Sequence, residues 1–186
     1  TEKKLAYASV NQAVCAIRFL LSVVLGQRTE AFAIPMAKVP KRLPQVLTRE
    51  EVGRLIAHAR NPRDRMLLET TYAAGLRLSE VCALELSDIE SAPERMCLKI
   101  RQGKGSKDRY TLLSPRLLDS LRAYWCAYRP RHWLFPNPAG NGGLYPQCAQ
   151  RLYHAARNAA GIENGGGIHT LRHSFATHLL EAGVDI

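Results

Sequence analysis

Hydrophobic residues recur every three or four positions along most of the chain, the spacing that places side chains on one face of an α-helix. The first such stretch begins after Ser9, a residue type that caps helices, and ends at Gly26. Its apolar positions are Val10, Val14, Ile17, Leu21 and Val24. The pattern predicts one amphipathic helix, which is too little to form a domain alone.

A second set of helical patterns follows residue 47. Its first helix begins at Thr48, and Glu51 three residues later completes the pattern of a capping box. Three more helices are predicted over residues 62–74, 115–129 and 146–160, each with proline at or beside its start. A glycine or a proline directly follows each of these stretches and marks where the helix ends.

The last helical pattern begins at His169, and Thr170 is a residue type that can cap it. Its predicted buried face consists of Leu171, Phe175 and Leu179. Gly183 is placed to end the helix in a left-handed turn. The three glycines at 165–167 predict a flexible approach to His169.

Two short stretches alternate apolar and polar residues, which is the pattern of a β-strand. They cover residues 96–101 and 110–113, and the tip between them, residues 103–108, contains Lys104 with a glycine on each side. The two stretches predict a β-hairpin. The fold class is therefore α+β, mainly α-helical, with a small antiparallel sheet.

The stretch between the first helix and Thr48 contains three prolines, which prevent a helix and keep the backbone extended. It also carries Lys38, Lys41 and Arg42. We interpret residues 31–47 as a basic linker, although a plain surface loop fits the composition equally well. The domain assignment is 1–30 for the end of a helical domain, 31–47 for the linker and 48–186 for a second domain.

Composition indicates a globular protein with a polyanionic partner. The 186 residues are 46% hydrophobic, enough to bury a core, and the formal net charge is +10 with a pI of about 9.7. Nucleic acid is the first candidate partner for such a charge.

The five cysteines are widely spaced and form no CxxC pair, so we interpret them as reduced core residues of a cytoplasmic protein. We predict no metal site, because the histidines at 169, 173 and 178 have no carboxylate or thiolate nearby to complete one. Structural roles are predicted for His173 and His178. The longest apolar run, residues 19–25, is too short to span a bilayer, so no membrane partner is expected.

Four cationic or proton-donating side chains stand at junctions between predicted elements. His169 and Arg172 share one face of the first turn of the last helix, where backbone N–H groups favour an anion. Alternatively, the pair is merely a helix cap and a solvated charge, with no ligand bound. Arg77 lies between two apolar helices and needs a partner, either Glu80 or an external anion. Lys104 on the hairpin tip is either solvated or able to approach a large ligand.

The chain contains Gly-Leu-Arg-Leu-Ser-Glu, then Gly-Lys-Gly-Ser-Lys-Asp-Arg, then His-Thr-Leu-Arg-His-Ser-Phe-Ala-Thr-His-Leu-Leu. These motifs, in this order, resemble the tyrosine recombinase family, and most of all its bacterial Xer and integron-integrase branch. The resemblance covers about residues 48–186 and implies the catalytic domain of that family. The earlier helix and linker resemble the end of the family's N-terminal core-binding domain.

The resemblance implies site-specific DNA recombination without a metal or other cofactor. A tyrosine hydroxyl attacks a phosphodiester to form a 3′-phosphotyrosyl link, which the 5′-hydroxyl of a partner strand later reverses. Arg77 and Arg172 would stabilise the charge on the phosphorane. His169 would handle protons at the nucleophile, and Lys104 would protonate the 5′-oxygen leaving group.

Double-stranded DNA is the implied partner, and a homotetramer on DNA is expected for the full-length protein. The candidate phosphate contacts are Lys38, Lys41, Arg42, Lys107, Arg109, Arg151 and Arg157. None of the seven tyrosines matches the family's nucleophile position, so we expect the nucleophile beyond Ile186. With Thr1 in place of Met, we expect the chain to be incomplete at both ends and inactive in cleavage by itself.

Three other functions remain open. The chain is alternatively a DNA-binding remnant of such a recombinase that occupies sites without cutting them. It is also compatible with a relaxing topoisomerase, which uses similar groups, although the bacterial character of the motifs argues against that. A metal nuclease is the weakest alternative, because the sequence contains no carboxylate cluster.

Overall fold

A computed structural model describes residues 6–27, 35–38, 45–101 and 108–184. The chain divides into two compact units, residues 1–43 and 44–186. The division falls inside the stretch interpreted as a linker, and the assignment of the domains stays a prediction. The candidate residues Lys41, Arg42, Lys104 and Lys107 lie outside the described residues.

In the first unit, helix α1 spans Tyr7–Phe19 and continues as a π-helical turn, Leu20–Val24. The helix starts before Ser9, and the residue at its N-cap makes no side-chain cap, so the predicted cap is wrong. Val14 is its buried residue. The Asn11 amide exchanges two hydrogen bonds, of 2.8 and 3.0 Å, with the backbone of Ala37. Lys38 beside it is exposed.

The helical stretch Tyr7–Val24 is apolar enough and, at 18 residues, long enough to cross a membrane, with a mean hydropathy of 1.4. The expectation of no membrane partner stays a prediction. The sequence argument counted only consecutive apolar residues and so missed a longer helix with interspersed polar positions. One such helix does not establish a membrane span, because signal sequences and core helices of soluble proteins pass the same test.

Six helices form most of the second unit: α2 Arg49–Ala57, α3 Pro62–Ala73, α4 Leu78–Cys82, α5 Pro115–Tyr128, α6 Pro146–Ala159 and α7 His169–Glu181. The predicted capping box at α2 is confirmed, because Thr48 Oγ1 accepts from Glu51 N at 3.1 Å and Glu51 Oε2 accepts from Thr48 N at 2.8 Å. The local sequence signal at Thr48 therefore marks where α2 begins.

A 3₁₀ turn, Leu86–Asp88, leads into a small antiparallel sheet. Its strands are β1 Ile89–Glu90, β2 Cys97–Ile100 and β3 Arg109–Leu112, in that spatial order. Leu98 pairs with Thr111, so β2 and β3 form the predicted hairpin. The α+β fold class is confirmed.

The core of this unit is built around α3, which packs against α2, α4, α5, α6 and α7. Leu67 and Leu68 on α3 are fully buried. On α5, Tyr124 is buried in this core, whereas Trp125 and Tyr128 are 40% and 45% exposed. Helix α3 therefore links most of the elements that carry the candidate site.

The cysteines are free, and most of them are not core residues. Only Cys82 is buried among the five, and that burial raises its pKa to about 11. Cys15 and Cys126 are exposed, so the expectation that the cysteines lie in the core is wrong for these two. A cysteine inside an apolar run can still lie on the outer face of its helix.

Candidate active site

The junction between α3 and α4 holds Arg77 in place. Gly75 takes a left-handed conformation with φ of 58°, and Leu76 N donates to Thr71 O at 3.0 Å, which closes the end of α3. Glu80 then accepts twice from Arg77, at 2.8 Å from the backbone N–H and at 2.7 Å from Nη1. The sequence left the partner of Arg77 undecided, and in the structure it is the internal carboxylate of Glu80. The Arg77 side chain is still about a third exposed.

A second guanidinium reaches the same carboxylate from strand β3. Arg109 Nη2 lies 2.7 Å from Glu80 Oε2, and the Glu80 side chain is only 5% exposed. Burial alone would raise the pKa of Glu80, but hydrogen bonds from Arg77 and the charges of Arg109 and Arg77 outweigh it, so this pKa lies below its usual value. Arg109 was predicted to contact a phosphate, and the structure gives it this internal role.

Arg172 on the first turn of α7 completes a group of three arginines. Its Nη1 donates to the carbonyl oxygen of Gly75, which ties α7 to the junction that carries Arg77. Burial lowers the pKa of Arg172, and the positive charges of Arg77 and Arg109 lower it further, whereas Glu80 opposes the shift. A guanidinium remains protonated at neutral pH even so. Three guanidiniums around one carboxylate leave an excess of positive charge, which suits an anionic ligand.

His169 is the first residue of α7, exposed and on the same face as Arg172. The N-cap of α7 is Ile168, without a side-chain cap, and Thr170 is buried in the first turn, so the predicted Thr170 cap is wrong. Within the described part of the chain His169 has no hydrogen-bond or ion-pair partner, and its imidazole is therefore accessible to a ligand beside Arg172.

The buried face of α7 is more polar than predicted. It consists of Thr170, Leu171, Ser174 and His178, whereas Phe175 and Leu179 are only half-buried. Ser174 Oγ accepts from Leu47 N at 2.9 Å and donates to Thr170 O at 2.8 Å. His178 Nδ1 lies 2.8 Å from the Tyr72 hydroxyl. The structural role predicted for His178 is therefore confirmed, while His173 is exposed.

The remaining predicted phosphate contacts on α6 differ from each other. Arg151 is exposed, and its Nη2 lies 3.2 Å from Cys148 Sγ. Arg157 is half-buried and donates to the carbonyl oxygens of Gly165 and Gly166, at 3.1 and 3.4 Å. The predicted flexible approach to His169 is thus a loop whose backbone is held by side chains. Arg157 holds that loop, which is a role that the sequence analysis missed.

Three tyrosine hydroxyls in this unit already have internal partners. They belong to Tyr72, bonded to His178, Tyr124, bonded to Leu134 O, and Tyr153, bonded to Gly165 O. Burial raises the pKa of each of them, that of Tyr124 to about 12. These three hydroxyls are therefore poorly suited to act as nucleophiles at neutral pH.

We expect Glu80→Gln to lower the free energy of unfolding by about 3 kcal/mol at pH 7, because two guanidiniums lose a nearly buried carboxylate. The folded-state pKa of Glu80 is depressed, so its contribution is complete above the ordinary value of 4.5 and is lost as the pH falls through the folded pKa. The difference between wild type and variant should therefore shrink in acid. Urea titrations at pH 7 and pH 3.5 measure it.

Glu90→Gln is the matched control, since Glu90 pairs with Arg95 at 3.2 Å on the surface, where Arg95 is 61% exposed. It should change stability by less than about 1 kcal/mol at either pH. An equal loss in both variants at pH 7 would contradict a special role for Glu80.

The model of the phage integrase family matches residues 45–186. The chain belongs to the phage integrase family. The matched stretch contains every element of the second unit, including Arg77, Glu80, His169 and Arg172.

Relatives of this family member are named integrases or tyrosine recombinases. The integrase/recombinase y4qK of Sinorhizobium fredii is 40% identical over 186 residues, which cover 100% of this chain and 60% of that protein. The tyrosine recombinase XerD of Caulobacter vibrioides is 36% identical, with 92% of this chain and 61% of that protein covered. The chain thus spans about three fifths of the length of these two relatives.

Solved structures show that the fold is shared. A XerH site-specific recombinase bound to a palindromic difH substrate has a TM-score of 0.77 at 22% identity, covering 98% of this chain and 56% of that one. A lambda integrase (75-356) dimer bound to a COC′ core site also has a TM-score of 0.77, at 19% identity, covering 96% and 69%. The tyrosine recombinase fold expected from the motifs is therefore confirmed.

Proposed function

We propose that this chain is part of a site-specific DNA recombinase that cleaves and rejoins strands through a 3′-phosphotyrosyl intermediate. The observation that carries the proposal is that Arg77 and Arg172 are both anchored at the junction between α3 and α4. Glu80 accepts from Arg77, and the Gly75 carbonyl accepts from Arg172. His169 lies on the same face of α7 as Arg172. The site lies in a member of the phage integrase family.

The proposed chemistry is stabilisation of a phosphorane. As the nucleophile attacks, negative charge grows on the non-bridging oxygens, and donors fixed beforehand lower the barrier. Arg77 and Arg172 take that role, because each is anchored by one bond and retains donors for a ligand. His169 donates to the same phosphate or accepts the proton of the nucleophile. Lys104 is the proposed acid for the 5′-oxygen, and the nucleophilic tyrosine is proposed to lie beyond Ile186.

The proposed partner is double-stranded DNA, bound by the full-length protein as a homotetramer in the cytoplasm. Support comes from the net charge of +10 and from structures of the same fold. One of those is described as a lambda integrase tetramer bound to a Holliday junction, with a TM-score of 0.71 at 18% identity, covering 96% of this chain and 54% of that one. Lys38 and Arg151 are exposed. They are proposed phosphate contacts, together with Lys41, Arg42, Lys107, Arg109 and Arg157.

The proposal is tested with the protein expressed from its whole reading frame. A site is selected from a random duplex library by binding and is then made as a nicked suicide duplex, which traps the covalent intermediate. We expect a covalent adduct with the 3′-phosphate that forms equally well in EDTA. Mapping the adduct by mass spectrometry identifies the tyrosine.

Binding without any adduct would overturn the enzymatic proposal. It would favour the alternative of a non-catalytic DNA-binding protein. Adduct formation with relaxation of supercoiled DNA, but without strand exchange between two duplexes, would instead favour a topoisomerase.

A further inference from the structure

The loop at 165–167, which leads directly into His169, is held on both sides of its backbone. Gln45 Oε1 accepts from Gly165 N at 3.2 Å and from Gly166 N at 2.9 Å. On the carbonyl side, Gly165 O accepts from the Tyr153 hydroxyl at 3.2 Å and from Arg157 Nη1 at 3.1 Å. The peptide groups of a glycine-rich segment are thus nearly all paired, although such a segment is flexible when unsupported.

The end of the loop is held as well. Ile168 N donates to Gln150 Oε1 at 3.3 Å, and Thr170 N donates to Gly167 O at 2.9 Å. A Cβ on Gly167 would collide with the Gln150 amide, so a larger residue there would displace the side chain that accepts from Ile168 N. The position of His169 is therefore set by the loop that precedes it and not by a side-chain cap.

The chain just after Gln45 is anchored to α7. Two residues later, Leu47 is 1% exposed and its N–H donates to Ser174 Oγ at 2.9 Å. Leu47 Cδ2 would lie 3.0 Å from a Cβ on Gly165, so the segment and the loop are in close contact. The 45–47 segment thus touches both the loop before His169 and the helix that carries His169 and Arg172.

We propose that Gln45 is a positioning residue, which fixes the loop and through it the imidazole of His169 relative to Arg172. This inference rests on the proposed function for its effect on rate. Gln45 touches no reacting atom. Without its acceptor, two backbone N–H groups lose their partner and the loop can shift, and displacement of a catalytic group by about 1 Å can cost up to 10²-fold in rate.

The test compares three variants of the whole chain. Gln45→Met keeps the length of the side chain but removes the acceptor, whereas Gln45→Glu keeps an acceptor, removes the amide donor and adds a negative charge. Gln147→Met is the matched control, because Gln147 is exposed on α6 and has no hydrogen-bond partner in the described part of the chain. Gln45 is exposed too, so we expect every variant to fold.

Two readouts report on the loop independently of activity. Gln45→Met should speed amide hydrogen exchange at Gly165 and Gly166 by about 10-fold or more, because each loses its hydrogen bond. It should also shift the NMR signals of the His169 ring. Gln45→Glu should restore slow exchange at the two glycines, and Gln147→Met should change neither readout.

The third readout is the single-turnover rate of adduct formation by the full-length protein. Gln45→Met should lower that rate by about 10-fold with an unchanged affinity for the duplex, since the residue orients a catalytic group and does not bind DNA. Gln45→Glu should recover the rate. A loss of affinity with an unchanged rate would overturn the proposal.

Unchanged exchange at Gly165 and Gly166 in Gln45→Met, or an unchanged His169 spectrum, would also overturn it. If the wild-type protein formed no adduct, the proposed function would fail, whereas the exchange and NMR results would still decide whether Gln45 positions the loop. Arg157→Met, which removes the donor to the Gly165 and Gly166 carbonyls, should likewise shift the His169 ring signals and speed exchange at Gly166, whose N–H belongs to the same peptide group as the Gly165 carbonyl.

Discussion

Replacing Arg172 with alanine is expected to slow adduct formation by about 10²–10³-fold, the effect of removing one fixed donor from a transition-state anion. Arg172 Nη1 donates to the Gly75 carbonyl, and among the described residues its other terminal nitrogen, Nη2, has no partner. We infer that the free side of the guanidinium faces the phosphate. Single-turnover assays on the nicked suicide duplex measure the loss.

Two variants separate charge from geometry in this experiment. Arg172→Lys keeps the positive charge, but an ammonium cannot bond the Gly75 carbonyl and a phosphate with the same fixed fork, so we expect it to remain impaired by at least about 10-fold. Arg122→Ala removes an arginine that is 63% exposed and pairs with Asp119 at 3.6 Å on α5, and it should leave the rate unchanged. Full activity of Arg172→Lys would show that charge alone suffices.

The elements predicted best are those whose signals lie within a few residues of one another. The capping box at Thr48 and Glu51, and the glycines at 75, 161 and 183 with φ of 58°, 67° and 76°, mark helix boundaries that depend on local backbone geometry. Arg77 and Glu80 are also local, because a glutamate three residues into a helix can bond back to its start. Sequence reasoning could therefore list Glu80 as a partner.

The contacts that were missed join residues far apart in the chain. Arg109 reaches Glu80 across 29 residues, and Gln45 reaches the glycine loop across 120. No periodic pattern predicts such pairs, since they depend on how the elements pack. Arg109 and Arg157 were predicted to contact phosphate, and each one also has an internal acceptor that the sequence analysis missed.

The prediction of the buried face of α7 was wrong for a related reason. Spacing by four selected Phe175 and Leu179, but Ser174 and His178 are buried in their place because Leu47 N and the Tyr72 hydroxyl supply them with hydrogen bonds. A buried polar side chain is favourable only when such a partner exists. The partners come from the start of the unit and from α3, so the sequence of α7 alone could not show them.

Gly75→Ala is expected to lower the free energy of unfolding by about 3 kcal/mol, from a left-handed backbone and an overpacked contact together. A Cβ at this position would approach Phe175 Cε1 to 2.6 Å, and the Phe175 ring is packed edge-on against Tyr72 at 6.4 Å. Because the Gly75 carbonyl also anchors Arg172, movement of the junction should slow adduct formation as well. Urea denaturation and the single-turnover rate measure the two effects.

Gly161→Ala isolates the backbone part of that loss. Gly161 ends α6 with nearly the same φ, and a Cβ there would meet nothing within 4 Å, so its cost should be only about 1–2 kcal/mol, from the left-handed conformation. In a Phe175→Ala background the cost of Gly75→Ala should fall to that same value, because the ring that it would strike is gone. Equal costs for Gly75→Ala and Gly161→Ala in the wild-type background would instead mean that α7 can move away from the junction. Arg172 would then not be held as firmly against Gly75 as the proposed chemistry requires.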